Sequence, residues 1–255
     1  MQNQILPIQT VLNQLRQTSP TPDPSSPNAA PKQLCPVCNG LGYVRGELIQ
    51  TARGLESRLF RCSCQAVPDA SRLQARIGSP ILPLLFTDIC TAGRSGTLQM
   101  VACAVGWIRH PDCILTIWGR NGTGKSMVLQ AITGEVIRRG VAALYVRAHD
   151  LLDFLKAGIG DDDYDVAARL NVLASVPVLC IDELTLVRWT DWVAEQLESL
   201  LDLRYSAERG TVLAMDTDPA ATLHARLLSR MREGVMVENH DSDFRQLLAE
   251  AKKEE

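Results

Sequence analysis

Residues 119–126 read GRNGTGKS. Glycines at this spacing let backbone N–H groups curl around an anion with no Cβ in the way. Lys125 offers a cation for β- and γ-phosphates, and the Ser126 hydroxyl is a hard ligand suited to Mg²⁺. Gly119, Asn121, Gly122, Thr123, Gly124, Lys125 and Ser126 are therefore expected to cradle the triphosphate of ATP. Two adjacent carboxylates, Asp182 and Glu183, close the run VPVLCIDE. Asp182 suits Mg²⁺, held directly or through water, and Glu183 suits orienting the water that attacks a γ-phosphate. Four cysteines form a third set, Cys35 and Cys38 in CPVC with Cys62 and Cys64 in CSC. Paired thiolates of this kind make a tetrahedral Zn²⁺ site.

Each set needs elements to hold it. Before the glycine loop lies a short apolar run, 114–118, read as a strand. After it, Met127, Val128, Ala131, Ile132 and Val136 recur at helical spacing. A strand, a tight turn and a helix N-terminus in that order aim partial positive charge at the bound phosphates. The run 176–183 is continuously apolar until its two acids, as a central strand buried on both faces would be. Its carboxylates then fall at the C-terminal edge of a parallel sheet, where such sheets bind ligands. That placement fits hydrolysis better than phosphoryl transfer to a small molecule.

The remaining pattern predicts an α/β fold. Helices are expected near 97–109, around Leu151, Leu152, Phe154 and Leu155, over 189–205 and over 220–232, with a last one in DSDFRQLLAEAKKEE. Strands are expected at 144–147, 211–215 and 235–237. Phe86 and Ile89 precede the first of these elements, as base-side contacts or as core. Cys90, Cys103, Cys113 and Cys180 stand in apolar surroundings and read as small core residues.

Composition bounds the rest. The chain has 255 residues, 46% hydrophobic and 22% charged, which suits one full-sized α/β domain with something smaller. A formal charge of −3 makes no global case for nucleic acid, so DNA contacts need local basic patches. Arg138, Arg139, Arg169 and Arg188 are candidates. No apolar run approaches the ~18 residues of a membrane span, and MQNQILPIQT lacks a signal-peptide layout. A cytoplasmic location with no membrane partner is expected, and there the eight cysteines favour metal or burial over disulfides. Residues 2–17 hold a short amphipathic pattern or a frayed tail, and 18–31 carry five prolines, the composition of an extended linker. The expected division is a tail and linker at 1–32, a zinc ribbon at 33–66 with strands near 42–45 and 57–61, a connector at 67–85, and an ATPase domain at 86–255. A ribbon of this size cannot bury enough surface to fold alone, so the metal supplies its stability.

Taken together, CPVCNGLGYV with CSC, GRNGTGKS, VLCIDEL, EQLESLLDLRYSAERGTVLAMDTDP, ARLLSRM and DSDFR resemble the bacterial replicative-helicase loaders of the DnaC/DnaI type. The IstB-type transposition ATPases are close relatives of these. The likeness runs over residues 33–248. It implies an AAA+ P-loop ATPase that assembles head to tail and engages DNA, with the ribbon as a partner-binding hook. By position, it implies that Thr217 stands where the family places a first-sensor Asn. Arg230 matches an arginine finger acting on a neighbouring subunit's nucleotide, and Arg245 a second sensor acting in its own subunit. Thr217 is a departure, and Asp216 and Asp218 beside it add negative charge near the γ-phosphate, implying slow hydrolysis or altered water placement. Three functions follow as expectations. The first is an ATP-dependent loader of a hexameric replicative helicase onto single-stranded DNA. The second is an IstB-like regulator that assembles on duplex DNA and recruits a transposase. The third is an ATP-binding adaptor with little hydrolysis.

Overall fold

The computed structural model describes residues 43–51, 54–62, 65–82, 84–157 and 165–244. Cys35, Cys38, Cys64, Arg245, the tail, the linker, the acidic run 161–163 and the last helix lie outside them. Residues Tyr43–Thr51 (β1) and Gly54–Arg61 (β2) pair antiparallel, with a register shift between Arg45 and Leu48. Both strands are longer than the sequence pattern suggests, and Cys62 is buried directly after β2.

Helix α1 (Ala66–Ile77) follows, closed by Gly78 in the left-handed region. Beyond it come α2 (Ser95–Trp107), β3 (Ile114–Gly119), α3 (Lys125–Arg138), β4 (Ala143–Arg147) and α4 (Ala148–Lys156). The chain continues through α5 (Val166–Ser175), β5 (Val178–Asp182), α6 (Asp191–Ser206), β6 (Gly210–Met215), α7 (Pro219–Thr222), α8 (Ala225–Arg232) and β7 (Val235–Asn239). Strands β3 to β7 form one parallel sheet in the order β4-β5-β6-β3-β7.

Alternation along each strand sends neighbours to opposite faces. In β5, Val178 and Cys180 join a core with Leu115, Ile117, Val128, Ile132 and Met100. Leu179 and Ile181 join the other face with Leu151, Leu173, Leu197 and Leu213. Helices on both faces explain why the strand reads as a continuous apolar run. Phe86 and Ile89 are buried in the first of these cores. Cys180 is buried as expected, whereas Cys90 is exposed and Cys103 and Cys113 are half-buried.

Two features are invisible to periodicity. The expected helix over 220–232 is broken in two. Asp218 caps α7 by accepting from Ala220 N, with Pro219 at the first turn. Leu223 then becomes extended and buries its side chain, and His224 starts α8. The second feature is Arg204, fully buried on α6 with no carboxylate partner among the described residues. It donates to the carbonyls of Leu173 (3.0 Å) and Val176 (2.7 Å) and to Thr211 Oγ1 (2.8 Å), tying the end of α5 to the starts of β5 and β6. Burial, with a contribution from Arg209, pulls its pKa down to about 9. The helix-end carbonyls keep it charged at neutral pH.

Strand β4 is an edge of the sheet, and α1 with the residues after it covers that edge. Tyr145 N donates to Gln74 Oε1 (2.9 Å), and Arg147 N to Ser79 Oγ (3.1 Å). Side chains here occupy positions that a sixth strand would take.

Candidate nucleotide site

The strand order reverses direction at β3, because β4 and β5 lie beyond β6 while β7 lies on the other side. Ligands of open parallel sheets bind at such a point, beyond the carboxyl ends of the strands. A cleft of about 220 Å³ opens there, lined by Asn121, Gly122, Gly124, Lys125, Ser126 and Met127 from the loop and α3. Asp182, Glu183, Asp216, Arg94 and Phe244 complete its wall.

The loop's glycines are used where the backbone needs them. Gly122 has φ +73°, and a Cβ there would meet Asp243 Oδ1 at 1.8 Å. Gly119 has φ +142°, and a Cβ there would meet the Asn239 carbonyl at 2.3 Å. Thr123 is buried, its hydroxyl donating to Arg120 O at 2.9 Å. Lys125 folds back into the turn, donating to Gly119 O (2.7 Å) and Arg120 O (2.8 Å). It also pairs with Asp216 Oδ1 at 2.9 Å. The Asn121 side-chain amide reaches the same carboxylate, 2.9 Å from both oxygens. Carbonyl and carboxylate oxygens thus surround the ammonium as phosphate oxygens would.

Asp182, buried at the end of β5, accepts from Tyr145 Oη (2.7 Å) and from Glu183 N (2.8 Å). Burial and the Asp182 carboxylate raise the Tyr145 pKa, so the phenol stays a donor. Glu183 holds a left-handed backbone, φ +57°, which non-glycine residues adopt mainly where the fold forces it. Its carboxylate lies 3.9 Å from His149 Nδ1. His149 Nε2 in turn meets Asp150, which Ser79 and Arg147 also hold.

The donor set fits ATP with Mg²⁺. Ser126, Asp182 and Glu183 offer hard oxygens, and Mg²⁺ keeps most of its shell as water and phosphate oxygen, needing only one or two carboxylates. Among the described residues no group of three or more His, Cys, Asp or Glu is arranged to hold a metal alone. Of the expected zinc ligands only Cys62 is described.

Thr217, expected beside the phosphates, is exposed and hydrogen-bonds Thr222 (Oγ1–Oγ1 2.8 Å), whereas Asp216 lines the cleft. A one-residue offset at the end of β6 separates the two. Arg230 does not line this cleft. It sits on α8 between Asp202 (3.3 Å) and Glu233 (3.4 Å), over the Tyr205 ring at 4.3 Å. Among the basic candidates, Arg138 and Arg139 pair with Glu135, Arg169 stacks on Phe154, and Arg188 is exposed.

Residues to which the sequence pattern assigns no role complete the site, two of them in the DSDFR stretch, where only Arg245 has an expected one. Asp241 accepts from Gly96 N (3.0 Å), Thr97 N (2.7 Å) and Thr97 Oγ1 (2.7 Å), fastening the segment after β7 to the start of α2. Burial pushes its pKa up, but these donors and Arg94 outweigh that and hold it below the usual carboxylate value. Phe244 N donates to Gly122 O (3.1 Å), and the Arg94 guanidinium lies 4.6 Å from the Phe244 ring. Only long-range contacts bring Arg94, Asp241 and Phe244 together.

Comparisons with known proteins agree with this geometry. Residues 96–222 match the IstB-like ATP binding protein family. The chain is 29% identical over 161 residues to the uncharacterized protein YqaM of Bacillus subtilis (strain 168), covering 57% of this chain and 50% of YqaM. It is 27% identical over 119 residues to the replicative helicase loader DnaC of Escherichia coli (strain K12), covering 46% of this chain and 49% of DnaC. It thus spans about half the length of these curated relatives. Among solved structures, AMPPCP-bound DnaA from Aquifex aeolicus matches with TM-score 0.57 and 22% identity, over 67% of this chain and 55% of that one. What this likeness shows is the fold, a parallel sheet flanked by helices.

Proposed function

We propose, from the premise that this chain carries an IstB-like ATP-binding domain over residues 96–222, that it is an ATP-dependent loader of a replicative DNA helicase onto single-stranded DNA. The partner half of the reading draws on the identity to DnaC. The observation that carries the nucleotide half is the convergence of Lys125, Ser126, Asp182 and Glu183 on one cleft. On this reading Lys125 exchanges the carbonyls of Gly119 and Arg120 for β- and γ-phosphate oxygens, and the loop N–H groups take the rest. Ser126 and Asp182 would hold magnesium, which would supply positive charge to offset that of the phosphates. Glu183 orients the attacking water and accepts its proton. Arg230, remote from its own cleft, completes the site of a neighbouring copy, where a guanidinium matches phosphate oxygens bidentately. Nucleotide then joins subunits head to tail, and hydrolysis parts them. Arg245 would read the nucleotide within its own subunit, and the Cys35–Cys38–Cys62–Cys64 ribbon, with Zn²⁺, would dock on the helicase.

The test is reconstitution. With a hexameric replicative helicase and circular single-stranded DNA, the chain with ATP should raise the DNA-bound helicase several-fold, and Lys125→Ala should not. Equal loading without ATP would overturn the reading. The family match favours a second reading, assembly on duplex DNA with a transposase. ATP-dependent filaments on duplex DNA, with no effect on helicase loading, would select it.

A further inference from the structure

We propose that Tyr145 is a positioning residue for Asp182, and that through it the connector leading from the cysteine ribbon sets how well the site holds magnesium. The inference rests on the ATP–magnesium reading above and adds residues that this reading does not use.

Tyr145 is 3% exposed on β4, in register with Cys180 of β5, two residues before Asp182. Its side chain points to the α3 face of the sheet, among Val128, Ile132 and Val178. An aliphatic residue would fill that face without a polar tip to satisfy. The tip is instead spent on the carboxylate. Tyr145 Oη gives Asp182 Oδ2 its donor at 2.7 Å, while Glu183 N serves Oδ1 at 2.8 Å. With one donor on each oxygen, the carboxylate plane is fixed and a lone pair on each stays available to the cleft. Partners that orient a metal-binding carboxylate typically set metal affinity by about 10- to 100-fold.

Tyr145 is also gripped from outside the site. The Gln130 side chain, on the helix that the phosphate loop opens, lies beside the Tyr145 hydroxyl and works against the rise in its pKa. The Oε1 of that same amide accepts from Leu82 N at 2.6 Å. Tyr145 N donates to Gln74 Oε1 at 2.9 Å, and Gln74 Nε2 donates to Ser79 O at 2.9 Å. Gln74, Ser79 and Leu82 all belong to the segment between the ribbon cysteines and the ATPase sheet. A pull on that segment therefore acts on the Tyr145 backbone directly and on the Gln130 side chain beside its hydroxyl, and so on the Asp182 rotamer.

The experiment uses the full chain and a fluorescent ATP analogue, with binding titrated against magnesium and no partner present. Tyr145→Phe keeps the ring and removes only the donor. It should leave magnesium-free affinity within about two-fold and raise the magnesium midpoint about ten-fold. Gln74→Leu, which touches neither Asp182 nor nucleotide, should raise the midpoint in the same direction by about three-fold. Thermal unfolding without magnesium checks that both variants fold. Should Tyr145→Phe fail to fold, Gln74→Leu decides alone. A wild-type midpoint in the folded variants overturns the inference while leaving the ATP reading intact. Nucleotide binding by the wild type that is indifferent to magnesium overturns both.

Discussion

Asp216 gives the cleft a charge pattern of its own. With Asp182 and Glu183 it makes three carboxylates around Lys125, and it is the one that pairs with the ammonium directly. A triphosphate must displace that pair and then tolerate a negative neighbour, so Asp216 weakens binding most when magnesium is scarce. Asp216→Asn should tighten magnesium-free nucleotide binding about ten-fold by equilibrium fluorescence, and an unchanged affinity would put the carboxylate out of phosphate range. Asp241 makes a second case. Its pKa is depressed in the fold, so its contribution is complete above about pH 4 and fades as pH falls through the folded value. Asp241→Asn should cost about 2 kcal/mol at pH 7, and the gap from wild type should narrow steadily below pH 4 in thermal melts.

At the scale of elements, the motifs were legible in the sequence because their chemistry is local. The loop at 119–126, the strand ending in Asp182 and the long α6 all stand where periodicity expects them. What escaped is set by long-range contact. Leu223 breaks a helical pattern to bury its side chain, which the 3.6-residue period cannot show. Asp216 and Thr217 differ by one step at a strand end, and only the pleat decides which faces the cleft. Arg204 reads as an ordinary polar position on an amphipathic helix, yet it satisfies carbonyls from the end of α5 and the start of β6. Arg204→Ala should therefore destabilise the domain by about 3 kcal/mol or more in denaturant melts, far beyond a surface arginine. Retention of wild-type stability would mean those carbonyls find other donors.

For the whole molecule, the position of Arg230 away from the cleft matters most. Its ion pairs to Asp202 and Glu233 hold it on α8, offering no reach to its own phosphates. If a neighbour supplies the partner, Arg230→Ala should keep ATP affinity within about two-fold and lose at least about 100-fold in assembly-dependent turnover. Full turnover in that variant would return Arg230 to the role of a surface ion pair. The sheet border beside Gln74 and Ser79 has a practical consequence for anyone cutting the chain. A fragment starting at residue 86 keeps the whole 119–126 loop and Asp182 yet leaves the amides of Tyr145 and Arg147 naked, as adhesive as the rim of a fibril. It should precipitate or dimerise on concentration, whereas one starting at residue 66 should stay monodisperse in light scattering.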